Sequence, residues 1–239
     1  FRRVLFRSTM IRLFSGDLPR SRALAALLVL ILLALLCAPF LFPGARAINM
    51  AAKICIFVVL VASYDLLLGY TGIVSFAHTM FFGIGGYGVA IAMSNMTPGW
   101  GALLVGTLCA VAVSAALAFV IGLFSLRVRA IFFAMITLAV ASAFATLVSQ
   151  LSDWTGGEDG LSFKVPEVFT PGFSLGDMAW FGVPLNGKLL SYYFVLACAL
   201  ALFLMLLRLV NSPFGRVLQA IRENDFRAEA IGYRIVVYR

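Results

Sequence analysis

One apolar stretch, "LLLGYTGIVSFAHTMFFGIGGYG", which begins at residue 66, carries polar side chains that include a group capable of acid–base chemistry. It holds the only histidine of the chain, His78, and follows directly after Asp65. An acid and a histidine can relay protons, but a relay within apolar segments needs further acids, and the apolar runs offer almost none. We therefore expect these groups to be polar lining rather than proton carriers.

Two motifs imitate nucleotide-binding sites without the required context. The stretch "GIGGYG" at 83–88 fits the dinucleotide fingerprint, yet it lies in an apolar run, and the next acid is Asp153 rather than one about 20 residues further on. The stretch "GVPLNGKL" at 182–189 imitates a P-loop, but Leu189 replaces the Ser or Thr that holds magnesium. The chain is not expected to bind nucleotide itself.

The remaining residues do not predict an enzyme. The four cysteines are widely spaced in apolar runs, with no C-x-x-C pair, and we interpret them as small buried apolar residues. The sequence has no paired acids and no Ser/His/Asp set. We expect no catalytic residue, no metal and no cofactor.

Composition places the chain in a membrane. Of its 239 residues 63% are hydrophobic and only 12% are charged, which cannot cover a soluble globule with a polar surface. The predicted fold class is an all-α, polytopic membrane helix bundle of about six transmembrane helices. The predicted spans run at about 23–42, 48–68, 79–95, 101–126, 130–151 and 189–210.

The basic residues predict the orientation of the bundle. If the N-terminus is inside, all but four of the 18 basic residues fall in inner segments. The positive-inside rule and the number of spans then agree on two cytoplasmic termini. The basic charge therefore indicates a lipid bilayer and not a nucleic acid as the partner. The exceptions are Arg46, Lys53, Lys164 and Lys188.

We expect a transmembrane permease domain over residues 10–210, with an external loop at 152–188 that is rich in turn formers. Residues 1–9 resemble a non-native scar before Met10, and a cleavable signal peptide is an alternative for the first span.

The glycine-rich stretch has two open interpretations. It is either a helix-packing interface with a polar turn or a wall of a translocation path, lined by Asp65, Gly69, Thr71, Gly72, Ser75, His78 and Gly83.

A charged segment follows the last span and is predicted to be cytoplasmic, as part of residues 211–239. Its spacing predicts a short helix or helix pair, either lying on anionic lipid or fitting a protein groove. Interleaved acids and arginines favour the groove. The predicted apolar positions are Val217, Leu218, Ile221, Phe226, Ala230 and Ile231.

Three motifs in order, the glycine-rich stretch, "TGGEDGLS" at 155–162 and "GRVLQAIRENDFRAEAIG" at 215–232, resemble the LivM-type permease subunit of branched-chain amino acid ABC transporters. Such permeases continue through further spans, so the resemblance implies a C-terminally truncated chain. It also implies that 216–232 couples to an ATPase, with Glu229, Ala230 and Gly232 in the docking core. The predicted coupling residues are Arg216, Ala220, Arg222, Glu223, Asn224, Glu229, Ala230 and Gly232.

The resemblance implies a multi-pass subunit of the bacterial inner membrane that forms a path for branched-chain amino acids. Its implied partners are a second permease subunit, two ATPase subunits and an extracytoplasmic substrate-binding protein. Two alternatives remain open: a permease of the same family for urea or short amides, and a stand-alone channel or carrier without an ATPase.

Overall fold

A computed structural model describes residues 22–42, 44–125, 130–170, 172–180, 183–233 and 238. The expectations for residues 1–9, for the basic residues before position 22, for Arg127 and Arg129 and for the end of the chain lie outside these ranges. The helices are α1 (Arg22–Leu41), α2 (Ala45–Asp65), α3 (His78–Asn95), α4 (Trp100–Ser125), α5 (Ala130–Gln150), α6 (Ser152–Thr155), α7 (Gly187–Asn211), α8 (Pro213–Glu223) and α9 (Asp225–Ala230).

Helices occupy all six predicted apolar stretches, because a helix satisfies its backbone polar groups internally when no water is present. Within the described ranges, four helical segments are long and apolar enough to cross a membrane, and Ala25–Leu41 is a shorter apolar helix. The fold is thus a multi-pass helical membrane protein. The number of six spans and the side of the termini stay predictions. The four segments are Ala45–Thr71, Trp100–Phe124, Ile131–Gln150 and Gly187–Asn211.

Small residues bring α3 and α4 into close contact. A Cβ atom added to Gly88 would lie 2.7 Å from the Cβ of Ala110, and one added to Gly106 would lie 2.8 Å from the Cα of Val89. Close approach through small residues is how membrane helices gain packing energy, since lipid tails are as apolar as the side chains. The packing interpretation of the glycine-rich stretch is therefore correct at Gly88, whereas a Cβ on Gly86 would meet nothing within 4 Å.

A tyrosine on α7 compensates for a proline within α1. Pro39 lies inside α1 and has no N–H, so the carbonyl of Leu35 loses its usual helical donor. The hydroxyl of Tyr192, whose side chain is 1% exposed, donates to that carbonyl at 2.5 Å. The hydroxyl of neighbouring Tyr193 donates to the Leu36 carbonyl at 3.1 Å. This pair of bonds joins α1 to α7 beside the α2–α7 contact.

The excursion at 152–188 adds strands to a fold that was expected to be all-α. Strands β1 (Ser174–Trp180) and β2 (Val183–Asn186) form an antiparallel hairpin, interrupted by an irregular register. Phe169 packs its ring against Trp100 of α4 and Phe194 of α7, with centroids 5.4 Å apart in both pairs. These contacts fix the excursion on the ends of two helices. Its proposed role as a separate external loop remains a prediction.

Candidate functional site

The last turn of α2 is widened into a π-helical turn, Leu66–Thr71. Gly72 ends it with a φ of 72°, a left-handed conformation that glycine adopts without strain. The amides of Gly72 and Ile73 both donate to the Leu67 carbonyl. Single π-helical turns occur frequently at functional sites. Here the turn ends α2 and begins an irregular connection to α3, which we call the break, residues 72–77.

A threonine on α5 supports the break. The amide of Phe76 donates to Thr137 Oγ1 at 3.1 Å, and that hydroxyl donates to the Ala134 carbonyl at 2.8 Å. Thr137 is fully buried. Non-helical backbone within a bundle needs such side-chain partners, because no water is present to satisfy it. Thr137 was not predicted as a site residue, since one hydroxyl in a long apolar run gives no local signal.

His78, the first residue of α3, is held by α2. The Ser63 hydroxyl donates to the Leu60 carbonyl at 2.8 Å and lies 2.8 Å from His78 Nε2. The single hydrogen of the Ser63 hydroxyl is used in the bond to Leu60, so Ser63 can only accept from the histidine. The network therefore assigns a proton to His78 Nε2, which donates to Ser63 Oγ. Nδ1 is then an acceptor, and it is buried without a hydrogen-bond partner among the described residues. The ring also packs edge-on against Tyr64, with centroids 5.5 Å apart.

A cleft of about 560 Å³ opens beside these residues, which we call the His78 cleft. It lies between α2, the break, α3 and α5, and most of its wall is apolar. Such a wall with a few convergent polar groups is typical of a small-molecule site. Two predicted path residues, Ser75 and His78, line it. The other polar or aromatic lining comes from Tyr64, Phe76, Thr79 and Ser142.

The remaining predicted path residues lie elsewhere. Asp65 is exposed, and its carboxylate lies against Gly69, where an added Cβ would be 2.6 Å from Oδ1. Thr71 and Gly72 line a different cleft of about 580 Å³ beside α8. Gly83 packs against Phe144. The seven predicted residues therefore do not line one cleft, because the π-helical turn and the start of α3 face different helices; their role in a translocation path stays a prediction.

α8 begins with a well-formed cap and packs through one face. Ser212 Oγ accepts the amide of Gly215 at 3.4 Å, and Pro213 occupies the first turn, where a missing N–H costs nothing. Three predicted apolar positions, Val217, Leu218 and Ile221, are buried. The helix pair that the spacing predicted is present, and its first helix lies on the end of the bundle.

The second helix does not continue the apolar face of the first. Asn224 is extended, with φ of −161°, and its side chain caps α9 by accepting the Arg227 amide at 2.9 Å. This restart rotates the face, so that Ala228 is 1% exposed whereas Phe226 is 86% and Ile231 70% exposed. The three predicted apolar positions after Asn224, which are Phe226, Ala230 and Ile231, are therefore exposed rather than buried with the first three.

All eight predicted coupling residues are exposed, and one of them bonds to the bundle. Nη1 of Arg222 donates to the carbonyl of Gly69 in the π-helical turn. Gly232 has φ of 98° and ends α9, where its amide donates to the Glu229 carbonyl. The predicted residues with exposed positions are Arg216, Ala220, Arg222, Glu223, Asn224, Glu229, Ala230 and Gly232. We call residues 213–230 the α8–α9 segment.

Three curated proteins are similar to most of this chain. The high-affinity branched-chain amino acid transport system permease proteins LivM of Salmonella typhimurium (strain LT2) and Escherichia coli (strain K12) are both 26% identical, over 78% and 77% of this chain and 46% of each relative. A probable branched-chain amino acid transport permease protein LivM of Methanocaldococcus jannaschii is 28% identical over 70% of this chain and 48% of its own length.

The chain thus spans about half the length of the curated relatives it matches. No solved structure matches it. Residues 46–239 match the family described as branched-chain amino acid transport system, permease component, and this range contains both the His78 cleft and the α8–α9 segment. The chain therefore belongs to the family of branched-chain amino acid transport system permease components.

Proposed function

We propose that this chain forms part of the membrane-spanning permease subunit of an ABC importer for branched-chain amino acids in a bacterial inner membrane. The family match supports the permease role, and the relatives named above are permease proteins of branched-chain amino acid systems. ATP hydrolysis takes place on separate subunits. The chain itself contributes the path and the mechanical coupling.

The observation that carries the proposal is the placement of the α8–α9 segment. Val217, Leu218 and Ile221 of its first helix are buried, and Val217 and Ile221 pack against Ala228 of its second helix, so this apolar face is not available to lipid. Its second helix leaves Phe226 and the acid Glu229 exposed. Fixed attachment on one side and an exposed mixed surface on the other suit a helix that a partner protein moves. They do not suit a helix lying in the lipid interface.

The proposed orientation places the α8–α9 segment and both termini in the cytoplasm, with six spans in this part of the subunit. The distribution of basic residues supports this arrangement. The excursion at 152–188 then lies outside, where an extracytoplasmic binding protein delivers substrate. A second permease subunit and two ATPase subunits complete the assembly, as the resemblance implies.

The proposed path includes the His78 cleft. Its mostly apolar wall suits a branched aliphatic side chain, and its hydroxyls and the His78 acceptor suit the polar end of an amino acid. Transport requires the bundle to alternate between outward-open and inward-open arrangements. ATP binding and hydrolysis on the partners drive this change through the docked segment.

A docking experiment tests the proposal. The full-length permease is co-purified with its candidate ATPase subunit, with and without Glu229→Arg. Glu167→Arg, which reverses an exposed acid of the excursion, is the matched control. We expect the wild type and the control to retain the ATPase and Glu229→Arg to lose most of it. If the wild type binds no ATPase, a stand-alone carrier becomes the better account of the chain.

A further inference from the structure

Within the described residues, the π-helical turn leaves the carbonyl of Gly69 without a backbone donor. The last carbonyls of a helix have no intrahelical partner. At this helix end the amides of Gly72 and Ile73 both turn back to Leu67, and the amide of Phe76 goes to Thr137. Within the described part of the chain, no backbone amide reaches the carbonyl of Gly69. A donor from another element is therefore needed at this position.

Arg222 supplies that donor from α8, 153 residues further along the chain. Its Nη1 donates to the Gly69 carbonyl, and its Cγ would lie 3.2 Å from a Cβ added to Gly72. A positive charge at the C-terminal end of a helix is favourable, because the carbonyls there carry partial negative charge. The side chain therefore contacts the turn through both its charged end and its apolar stem.

Arg222 also lies at the joint between α8 and the turn. The cleft of about 580 Å³ at this joint is lined by Thr71 and Gly72 on one side and by Arg222, Asn224 and Phe226 on the other. Among the described residues, the Arg222 bond is the one side-chain hydrogen bond that α8 makes across this joint. Movement of the exposed Phe226 by a partner would therefore reach the turn through Arg222.

The turn leads directly to the His78 cleft. Only the six residues of the break separate Thr71 from His78, and three of them, Ile73, Ser75 and Ala77, are buried in the bundle. Six residues can span at most about 20 Å, and packed segments transmit displacements rather than absorb them. A shift of the π-helical turn thus changes the position of Ser75 and of the first turn of α3.

We propose that Arg222 is a positioning residue that transmits movement of the α8–α9 segment to the π-helical turn and so to the His78 cleft. This inference rests on the proposed function. It assigns Arg222 to the membrane domain, whereas the sequence placed it among the residues that contact the ATPase. Gly72 contributes the left-handed hinge at which the turn meets the break.

The experiment uses the full-length permease assembled with its partner subunits. Arg222→Met removes the donor and keeps the stem. Arg208→Met is the matched control, because Arg208 is an exposed arginine at the end of α7 that was not among the predicted coupling residues and, within the described residues, makes no hydrogen bond to the π-helical turn. For each variant we measure ATPase co-purification and the amount of substrate taken up per ATP hydrolysed.

We expect Arg222→Met to retain the ATPase and to lose roughly tenfold in uptake per ATP, a size typical of coupling between sites. Arg208→Met should match the wild type. Unchanged uptake per ATP in Arg222→Met would overturn the inference, as would loss of ATPase binding in that variant or an equal loss of uptake in Arg208→Met. Arg222→Gln, whose shorter side chain cannot reach the Gly69 carbonyl, is measured in parallel. We expect the same retained ATPase binding and the same loss of uptake per ATP, and the same results would overturn the inference. Failure of the proposed function is distinguishable, because the wild type would then bind no ATPase.

Discussion

Gly215 determines how closely α8 approaches the end of α7, and Gly215→Ala is predicted to displace the α8–α9 segment. A Cβ at this position would lie 2.7 Å from the carbonyl carbon of Val210 and 2.9 Å from the carbonyl oxygen of Leu209, closer than the 3.0 Å that real Cβ atoms respect. Both neighbours are backbone atoms, so neither can rotate away. The helix itself must move.

The expected change in stability is estimated by comparing Gly215 with a second glycine, Gly122. Adding a methyl group to a packed site costs about 1–3 kcal/mol, whereas replacing a helical glycine by alanine contributes about 0.5–1 kcal/mol of stability. Gly122 of α4 is the control, because its Cβ would meet nothing within 4 Å. Gly122→Ala should therefore stabilise slightly. The free energies of unfolding of the two variants should differ by about 1–3 kcal/mol, because the gain from replacing glycine is common to both and only Gly215→Ala has the overpacking cost.

The assay measures the free energy of unfolding of the full-length protein in mild detergent, together with ATPase co-purification. Gly215→Ala should lower both, because the cap at Ser212 and the buried face of α8 are displaced together. Gly122→Ala should lower neither. If Gly215→Ala were as stable as Gly122→Ala and retained the same amount of ATPase, the close contact between α7 and α8 would not position the segment.

Three further substitutions test individual contacts. Tyr192→Phe leaves the Leu35 carbonyl, which Pro39 cannot bond, without its donor, and should lower the free energy of unfolding by about 1–2 kcal/mol. Tyr193→Phe should cost less, because its acceptor, the Leu36 carbonyl, has a residue with a backbone N–H four positions later in the helix. Thr137→Val removes the acceptor for the Phe76 amide and should lower the free energy of unfolding by about 1–3 kcal/mol. Thr137→Ser, which keeps the hydroxyl, should retain most of the stability. Gly88→Ala should separate α3 from α4 and lower the thermal midpoint, whereas Gly86→Ala should not.

The positions of the helices were predictable because apolar runs of about 20 residues leave a membrane chain few alternatives. The prediction failed where the backbone departs from regular structure. The hairpin of β1 and β2 lies in a stretch rich in turn formers, whose strands are too short to show a clear alternation. The π-helical turn likewise could not be predicted, because its residues continue the apolar run of α2 and no residue pattern marks where the helix widens.

Within the site, Ser75 and His78 were correctly grouped because the break between two apolar runs marks a polar position. Ser63 and Thr137 were missed, since each acts through a partner on another helix, and no local pattern reports such a contact. Arg222 was placed on the partner-facing surface because helical periodicity separates charged from apolar faces. The periodicity cannot show that a guanidinium turns back to a carbonyl 153 residues away.

The central proposal is that the importer in which this chain is a permease component transports branched-chain amino acids at the expense of ATP hydrolysed by its partner subunits. The most direct measurement is uptake of labelled leucine into proteoliposomes that contain the full-length permease, its second permease subunit, the ATPase subunits and the binding protein. We predict uptake that requires ATP and is competed by isoleucine and valine but not by urea. Leucine uptake without ATP or without the ATPase subunits would contradict the account, and so would uptake of urea with none of leucine.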